Sequence, residues 1–211
     1  MENQDKYRIL GKLYDPMFGP GFSLSGVREE TVEMYRPEPG MQMLDVGFGT
    51  GSQLEIYQEL GCEVHGVDRS QTMIEVARKK LGGDVDLRHE DATQMSFEDN
   101  RFDLVTAMYM LHEVPEAARR QIVAECARVV KEDGRVLFVD FHGGPYSVPK
   151  GWLVKGYILF GEQLAGHFEH YRQFLSRGGL PALTDDLDLQ VHDETVNDDG
   201  NTAMALLGMA D

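Results

Sequence analysis

A glycine-rich turn between an apolar run and an amphipathic run is the feature that most constrains this chain. The turn reads LDVGFGTGS at residues 44–52 and has glycine at every second position of its central part. The apolar run before it, residues 41–46, predicts a buried strand, and residues 52–60 predict the helix that follows. Glycine has no Cβ atom, so such a turn lets a ligand lie close to the backbone. The sequence therefore predicts an α/β fold with a ligand site at this turn.

Short apolar runs alternate with longer amphipathic stretches along most of the chain, as in a mainly parallel sheet with crossover helices. Ser70 predicts the N-cap of a helix that ends near Leu81, and Pro115 the first turn of a helix that ends near Lys131. The pair Asp133-Gly134 predicts a turn before the fifth strand. Residues 142–180 lack strand alternation and predict a helical insertion. The predicted strands are residues 41–46, 62–68, 85–89, 102–108 and 135–141, with a closing pair at 187–195 and 202–209.

The composition excludes several classes of protein. The 211 residues include 20 Lys and Arg and 36 Asp and Glu, a formal net charge of −16, and no basic cluster that would bind nucleic acid. There is no signal-peptide pattern and no run of 18 apolar residues, so we expect a cytoplasmic protein without stable membrane insertion. Cys62 and Cys126 form no paired motif, so neither a disulfide nor a zinc site is expected. No repeat or linker divides residues 1–211, which predicts a single domain.

The residues around the turn favour a nucleoside that carries no phosphate. The dinucleotide fingerprint G-x-G-x-x-G requires glycine or alanine at position 52, where this chain has serine. Asp45 precedes the turn, and its negative charge suits a cationic ligand better than a pyrophosphate. Asp68 ends the second strand, close to the offset at which a carboxylate binds ribose hydroxyls; the alternative is a solvated turn aspartate. Asp91 follows the third strand and can accept from an adenine amino group; the alternative is that it only caps its loop.

Over roughly residues 40–142, these motifs resemble those of the class I S-adenosylmethionine-dependent methyltransferases. The resemblance implies a Rossmann-like, doubly wound sheet of seven strands, mostly parallel with the last strand antiparallel. It also implies S-adenosylmethionine as the methyl donor and S-adenosylhomocysteine as the product. Phe48 departs from the cysteine or small residue that the family often has. The implied cofactor-binding residues are Asp45, Gly47, Phe48, Gly49, Gly51, Asp68, Arg69, Asp91, Ala92 and Met108.

The methyl acceptor is expected outside the carboxyl ends of strands four and five. His112 follows the fourth strand, and a histidine ring can act as a general base near neutral pH. The alternative is that His112 only orders its loop. Glu113 is expected to face solvent, whereas Asp140 either lies at the rim of the site or simply ends the fifth strand.

The N-terminal segment at residues 14–22 combines aromatic residues with glycine and proline, as a lid over a binding site does. It is similar to the Tyr-Asp segment of methyltransferases of ubiquinone and menaquinone synthesis and of bacterial phospholipid N-methyltransferases. By this resemblance residues 1–38 form a helical lid, and Tyr14 lies near the sulfonium, where an aromatic face attracts positive charge. The alternative is a surface arm packed on the core.

The apolar segment at residues 151–168, GWLVKGYILFGEQLAGHF, is too short and too interrupted to span a bilayer. Its apolar side chains at helical spacing predict a core contact or a homodimer contact; the alternative is a wall for an apolar acceptor. The polar residues of the next segment, 167–174, are expected to line the same cavity. His167 and His170 hint at a metal, but no third ligand is evident and no metal site is predicted.

The sequence therefore predicts an enzyme that transfers a methyl group, by in-line displacement, to a small or lipid-like acceptor. Alignment of donor and acceptor is expected to contribute more than acid–base chemistry, because a sulfonium is already an activated donor. Two alternatives stay open: a non-catalytic S-adenosylmethionine-binding module and, less favoured, a nicotinamide-dependent oxidoreductase. Carbon, nitrogen and oxygen acceptors all suit this scaffold, and the sequence does not choose among them.

Overall fold

The computed structural model describes residues 24–184 and 189–210, which contain seven strands. The strands are β1 (Gln42–Val46), β2 (Glu63–Asp68), β3 (Asp86–His89), β4 (Phe102–Met108), β5 (Val130–Phe141), β6 (Leu189–Val196) and β7 (Thr202–Met209). The helices are α1 (Leu24–Met34), α2 (Ser52–Glu59), α3 (Gln71–Leu81), α4 (Glu116–Val129), α5 (Lys150–Ala165), α6 (Phe168–Ser176) and α7 (Pro181–Thr184), with a 3-10 turn at Leu111–Glu113.

The strands form one sheet in the order β3-β2-β1-β4-β5-β7-β6. Strands β1 to β5 pair in parallel, whereas β7 runs antiparallel to both β5 and β6. This confirms the predicted seven-stranded, mostly parallel sheet with an antiparallel last strand. The strand order reverses between β1 and β4, and ligands of open α/β sheets bind at such a switch point. The glycine-rich turn follows β1 at this point.

The central strands of the sheet are buried on both faces, which explains why they read as continuous apolar runs. On one face, Val105 of β4 packs with Val123 and Cys126 of α4. On the other face, Leu104 of β4 packs with Leu54 of α2. Within the described ranges, no helix combines the length and the apolar character that crossing a bilayer requires.

Helix α3 shows how local sequence signals set the ends of an element. The Ser70 side chain accepts a hydrogen bond from the Met73 backbone N–H at 3.2 Å, as predicted for an N-cap. The helix ends at Leu81, directly before Gly82, which has a φ of 96°. The predicted apolar face, Ile74, Ala77 and Leu81, is buried. This placement brings the loop before α3 to the carboxyl end of β2.

The start of β5 differs from the prediction, because β5 begins at Val130 and the pair Asp133-Gly134 lies within it. Phe102 pairs with Val130, but Leu104 pairs with Arg135, so the intervening residues of β5 bulge. A Cβ atom on Gly134 would lie 3.0 Å from the Phe102 carbonyl oxygen, which explains the glycine at this bulge.

Two further boundaries are shifted. Pro115 caps α4 from outside instead of occupying its first turn, because the helix begins at Glu116. The predicted insertion is helical only from Lys150 onwards, in α5, α6 and α7, since residues 142–149 form no helix.

Candidate functional site

A cavity of about 600 Å³ opens at the carboxyl ends of β1, β2 and β4, and we call it the edge cavity. It is large enough for a nucleoside-sized ligand together with part of a second molecule. Of the predicted cofactor-binding residues, nine of the ten line it: Asp45, Gly47, Phe48, Gly49, Asp68, Arg69, Asp91, Ala92 and Met108. The structure therefore brings the predicted set together at one place.

The glycines of the turn shape the floor of the edge cavity. Gly47 and Gly49 have φ angles of 71° and 55°, which favour glycine strongly over residues that carry a Cβ atom. A Cβ atom on Gly47 would lie 3.1 Å from the Met110 side chain. The Gly47 N–H donates to the Val67 carbonyl at 2.8 Å, which ties the turn to β2. The turn is therefore held open by hydrogen bonding within the sheet.

Gly51 is the predicted residue that does not line the edge cavity, so its contact with the donor stays a prediction. Its φ angle is 76°, and an added Cβ atom would fall 2.9 Å from the Cβ of Ala77. We assign Gly51 to the close approach of α2 and α3. Phe48 has a related double role, since it lines the cavity while its ring packs over Gly66, where a Cβ atom would come within 2.4 Å of that ring.

Asp68 is held at the rim of the edge cavity by backbone hydrogen bonds to both carboxylate oxygens. Its Oδ2 accepts from the Gly49 N–H at 2.9 Å, and its Oδ1 accepts from the Ser70 N–H at 2.7 Å. These bonds join the end of β2 to the glycine-rich turn and to the start of α3. The carboxylate is therefore fixed where the sequence places a ribose-binding group.

Asp91 lies on the neighbouring loop after β3 and does cap it, as the alternative interpretation stated. Its Oδ1 accepts from the Thr93 N–H at 3.0 Å and from the Thr93 hydroxyl at 2.8 Å. Its Oδ2 faces the Arg69 Nε at 3.7 Å. Asp91 also lines the cavity beside the buried Ala92, so loop capping and ligand contact are compatible.

Asp45 is a buried carboxyl group beneath the turn. Burial raises its pKa to about 7, although the hydrogen bond from Thr106 and the positive charge of Arg28 oppose the shift. The Thr106 hydroxyl donates to Asp45 Oδ1 at 2.7 Å. Arg28 also lines the cavity from α1, and no sequence signal pointed to either Arg28 or Thr106. Asp45 is therefore poised to lose its proton near neutral pH when a cation is close.

His112 lies at the far end of the cavity in a form that corrects its predicted role as a base. Its ring is buried, with Nδ1 2.6 Å from Asp140 Oδ1 and Nε2 3.4 Å from Glu162 Oε1. Although burial opposes the charged ring, the two carboxylates raise the pKa of His112 to about 10. Both ring nitrogens therefore face carboxylate oxygens, which favours the charged ring near neutral pH. This geometry favours the alternative that His112 orders its surroundings.

Two neighbouring expectations are also corrected. Glu113 does not face solvent, since its Oε1 lies 3.5 Å from His167 Nδ1 and its side chain is 24% exposed. Asp140 does not lie at the rim of the site, and it does more than end the strand, because its carboxylate is fully buried against His112.

The insertion contributes polar groups to the cavity, as predicted for His167 and His170, but not an apolar wall. Helix α5 lines the cavity only through Glu162, which the sequence analysis missed. The apolar residues of α5 divide between a buried face with Val154 and Ile158 and an exposed face: Trp152, Leu153, Tyr157, Phe160 and Leu164. Among the described side chains, no group of three or more His, Cys, Asp or Glu is arranged to hold a metal ion. Tyr14 and most of the predicted lid lie outside the described residues.

Comparison with known proteins identifies the family. A profile described as a methyltransferase domain matches residues 44–138. The chain is 31% identical over 193 residues to a ubiquinone biosynthesis O-methyltransferase of Thiobacillus denitrificans, covering 89% of this chain and 82% of that protein. It is 32% identical over 161 residues to a phosphatidylethanolamine N-methyltransferase of Cereibacter sphaeroides, covering 74% and 73%. The chain belongs to the class I S-adenosylmethionine-dependent methyltransferase family.

Two further comparisons concern the length of a relative and the fold. A demethylmenaquinone methyltransferase of Clavibacter sepedonicus is 34% identical over 140 residues, which are 65% of this chain but 55% of that protein. The chain thus spans about half the length of that relative. The structure of a methyltransferase from Aquifex aeolicus superposes with a TM-score of 0.61 at 19% identity, covering 97% of this chain and 98% of that one. This structural likeness supports the fold.

The residues of this methyltransferase-family chain fit the family's methyl donor. A positively charged sulfonium compound suits a cavity whose floor holds Asp45, and a ribose suits the fixed carboxylate of Asp68. Gly49 lines the cavity, and a Cβ atom there would meet no other residue within 4 Å, so its absence leaves open space beside the backbone. The residues that suit the donor therefore come from β1, β2 and the turn between β1 and α2.

The affinity of this family member for S-adenosylmethionine is expected to rise with pH between 6 and 8. With a pKa of about 7, Asp45 carries little charge at pH 6 and most of its charge at pH 8, so the affinity is expected to change by up to about tenfold. Isothermal calorimetry on the wild type and on Asp45→Asn checks this. The ligand's own titration is common to both proteins, so equal pH dependence in the two would contradict the assignment to Asp45.

Proposed function

We propose that this chain transfers a methyl group from S-adenosylmethionine to a nucleophile on a small or lipid-like acceptor. One observation carries the proposal: a single cavity connects the donor-binding rim at Asp68 with the group of charged side chains around His112. An enzyme that transfers a group between two molecules needs both of them in one water-shielded space. The relatives with quinone and phospholipid names support the lipid-like class of acceptor.

The chain's own residues would act mainly by alignment. When bound, S-adenosylmethionine supplies an activated methyl group that a nucleophile displaces in line. Asp68 and the glycine-rich turn hold the nucleoside part, and orientation of this kind contributes up to roughly 7 to 11 kcal/mol in favourable cases. The buried His112–Asp140 pair fixes the wall on the acceptor side. We retain Tyr14 as a residue that closes over the sulfonium, which is a proposal from the family resemblance.

The test uses S-adenosylmethionine that carries an isotopic label on the transferred methyl group. The protein is incubated with this donor and a cell extract, and we expect one low-molecular-weight or lipid product to gain the label while S-adenosylhomocysteine forms. Donor binding is measured separately by calorimetry. Binding without any labelled product would favour the non-catalytic module, and NADH binding without donor binding would favour the oxidoreductase.

A further inference from the structure

The acceptor end of the edge cavity is anionic and aromatic. The side chains of Glu113 and Glu162 line it, together with the rings of Tyr109 and Phe141. Among the described residues that line the cavity, the only Lys or Arg side chains are Arg28 and Arg69. Both lie on the donor side: Arg28 is in α1 and Arg69 is in the loop after β2. Of the histidines that line this end, His112 faces two carboxylates and His167 faces Glu113 at 3.5 Å. A cation is therefore the ligand that this end favours.

Glu162 lines the cavity, and one of its carboxylate oxygens has no hydrogen-bond partner among the described residues. The residue is 8% exposed, and its Oε1 faces the His112 ring at 3.4 Å. Its Oε2 is buried and has no hydrogen-bond partner among the described residues. A buried carboxylate oxygen without a donor is costly, and such groups are normally paired in the functional state. This oxygen therefore marks a place where a ligand donates a hydrogen bond.

We propose that Glu162 binds the nitrogen of a primary or secondary amine, so that the chain is an N-methyltransferase. The inference rests on the proposed function and names its acceptor class. The amine enters as an ammonium group that donates to Glu162 Oε2, releases a proton to water and attacks as the free base. The nitrogen lone pair forms the new N–CH₃ bond, and the S–CH₃ bonding pair stays on sulfur, which yields S-adenosylhomocysteine and a methylated ammonium product.

The direction of charge movement favours nitrogen over oxygen. When an amine is methylated, the positive charge moves from sulfur to nitrogen, and a carboxylate beside the nitrogen stabilises that change. A phenolic acceptor must instead become an anion before it attacks, and nearby carboxylates raise the pKa of a phenol. Glu113 and Glu162 also raise the pKa of an ammonium group, but that stabilisation returns as the nitrogen becomes cationic in the transition state. They repel a phenolate throughout, so this end of the cavity favours an amine over a phenolate. Tyr109 and Phe141 line the same cavity, and their rings would add cation–π attraction for an ammonium group.

The variant Glu162→Gln tests this directly, because it keeps the shape of the side chain and removes its charge. Glu169→Gln is the matched control, since Glu169 lies on α6 with its side chain 74% exposed and outside the cavity lining. The probes are free ethanolamine, a phospholipid with an ethanolamine headgroup in detergent micelles, and catechol as a phenol. The first two probes separate a free amine from a lipid-borne one.

We expect the wild type to methylate at least one ethanolamine probe and to leave catechol unmodified. Glu162→Gln should lower kcat/KM for that amine by roughly 10- to 100-fold, mainly through KM, while Glu169→Gln stays within about twofold of the wild type. A readout without turnover is calorimetric binding of the amine to protein saturated with S-adenosylhomocysteine, which Glu162→Gln should weaken by a similar factor. Donor affinity should stay within about twofold in both variants.

The outcomes separate the two proposals. Methylation of catechol in preference to both amines, or unchanged amine binding and kcat/KM in Glu162→Gln, would overturn the assignment of an amine to Glu162 while methyl transfer itself stands. Absence of any labelled product from extract and probes would instead overturn the proposed function, and the amine assignment would fall with it.

Discussion

Replacing Asp68 by alanine is expected to weaken S-adenosylmethionine binding roughly 100-fold, because a hydrogen bond to a charged group contributes about 1.5 to 3 kcal/mol and more than one is lost. The carboxylate accepts from the Gly49 N–H at 2.9 Å and from the Ser70 N–H at 2.7 Å, so its removal also loosens the glycine-rich turn. Calorimetry at pH 8, where Asp45 is charged, gives the dissociation constant for each protein.

The exposed Asp84 provides the control for this experiment, because it lies in the turn between α3 and β3 and does not line the cavity. Asp84→Ala should bind the donor as the wild type does. Asp68→Asn is expected to give an intermediate loss, since the amide keeps one acceptor oxygen but not the charge. Wild-type affinity in a correctly folded Asp68→Ala protein would show that the donor lies elsewhere.

Replacing His112 by alanine is expected to lower the free energy of unfolding by about 3 to 5 kcal/mol, the usual cost of removing one partner from a buried ion pair. The change leaves Asp140 fully buried with its main positive partner gone, and it also removes the ring that contacts Phe141 with centroids 4.6 Å apart. For a chain of 211 residues this corresponds to a fall in Tm of roughly 10 °C. Urea denaturation followed by circular dichroism measures the loss.

His112 also leads us to expect that the stability of the folded protein depends on pH. Because the folded-state pKa of His112 is raised to about 10, its stabilising contribution is fully present below its unfolded pKa of about 6.5 and is lost as the pH rises towards 10. The wild type should therefore lose stability over this range, and His112→Gln should lack that part of the slope. His192→Ala, at an exposed position of β6, is the control. Equal slopes in all three proteins would show that His112 is not the titrating group.

Local signals predicted the elements and residues that lie around the glycine-rich turn. The strand, glycine turn and helix at residues 42–59 occur where expected, and Ser70 caps α3 as predicted. Parallel strands place their carboxyl ends at one edge, so Asp68 and Asp91 could be assigned to the same rim without coordinates. The role of Gly51 in helix packing could not be predicted, because its neighbour Ala77 comes from a different helix and the distance between helices leaves no mark in the sequence of the turn.

The acceptor side depended on contacts between distant parts of the chain. His112 was interpreted as a base because its partners lie 28 residues away on β5 and 50 residues away on α5. A histidine pKa is set by what surrounds the ring, and sequence spacing does not report this. Glu162 was overlooked for a related reason: within an apolar helix a single glutamate shows no sign of the face on which it lies.

The sequence by itself therefore determined the α/β class, the order of strands and helices, and the identity of the residues at the donor rim, because hydrophobic period, capping and glycine turns are local properties. Only the tertiary structure decided the protonation of His112, the exposure of Glu113 and the presence of an unpaired carboxylate oxygen on Glu162. Those properties arise from burial and from charges on separate elements, which become neighbours only when the sheet and the insertion have packed together.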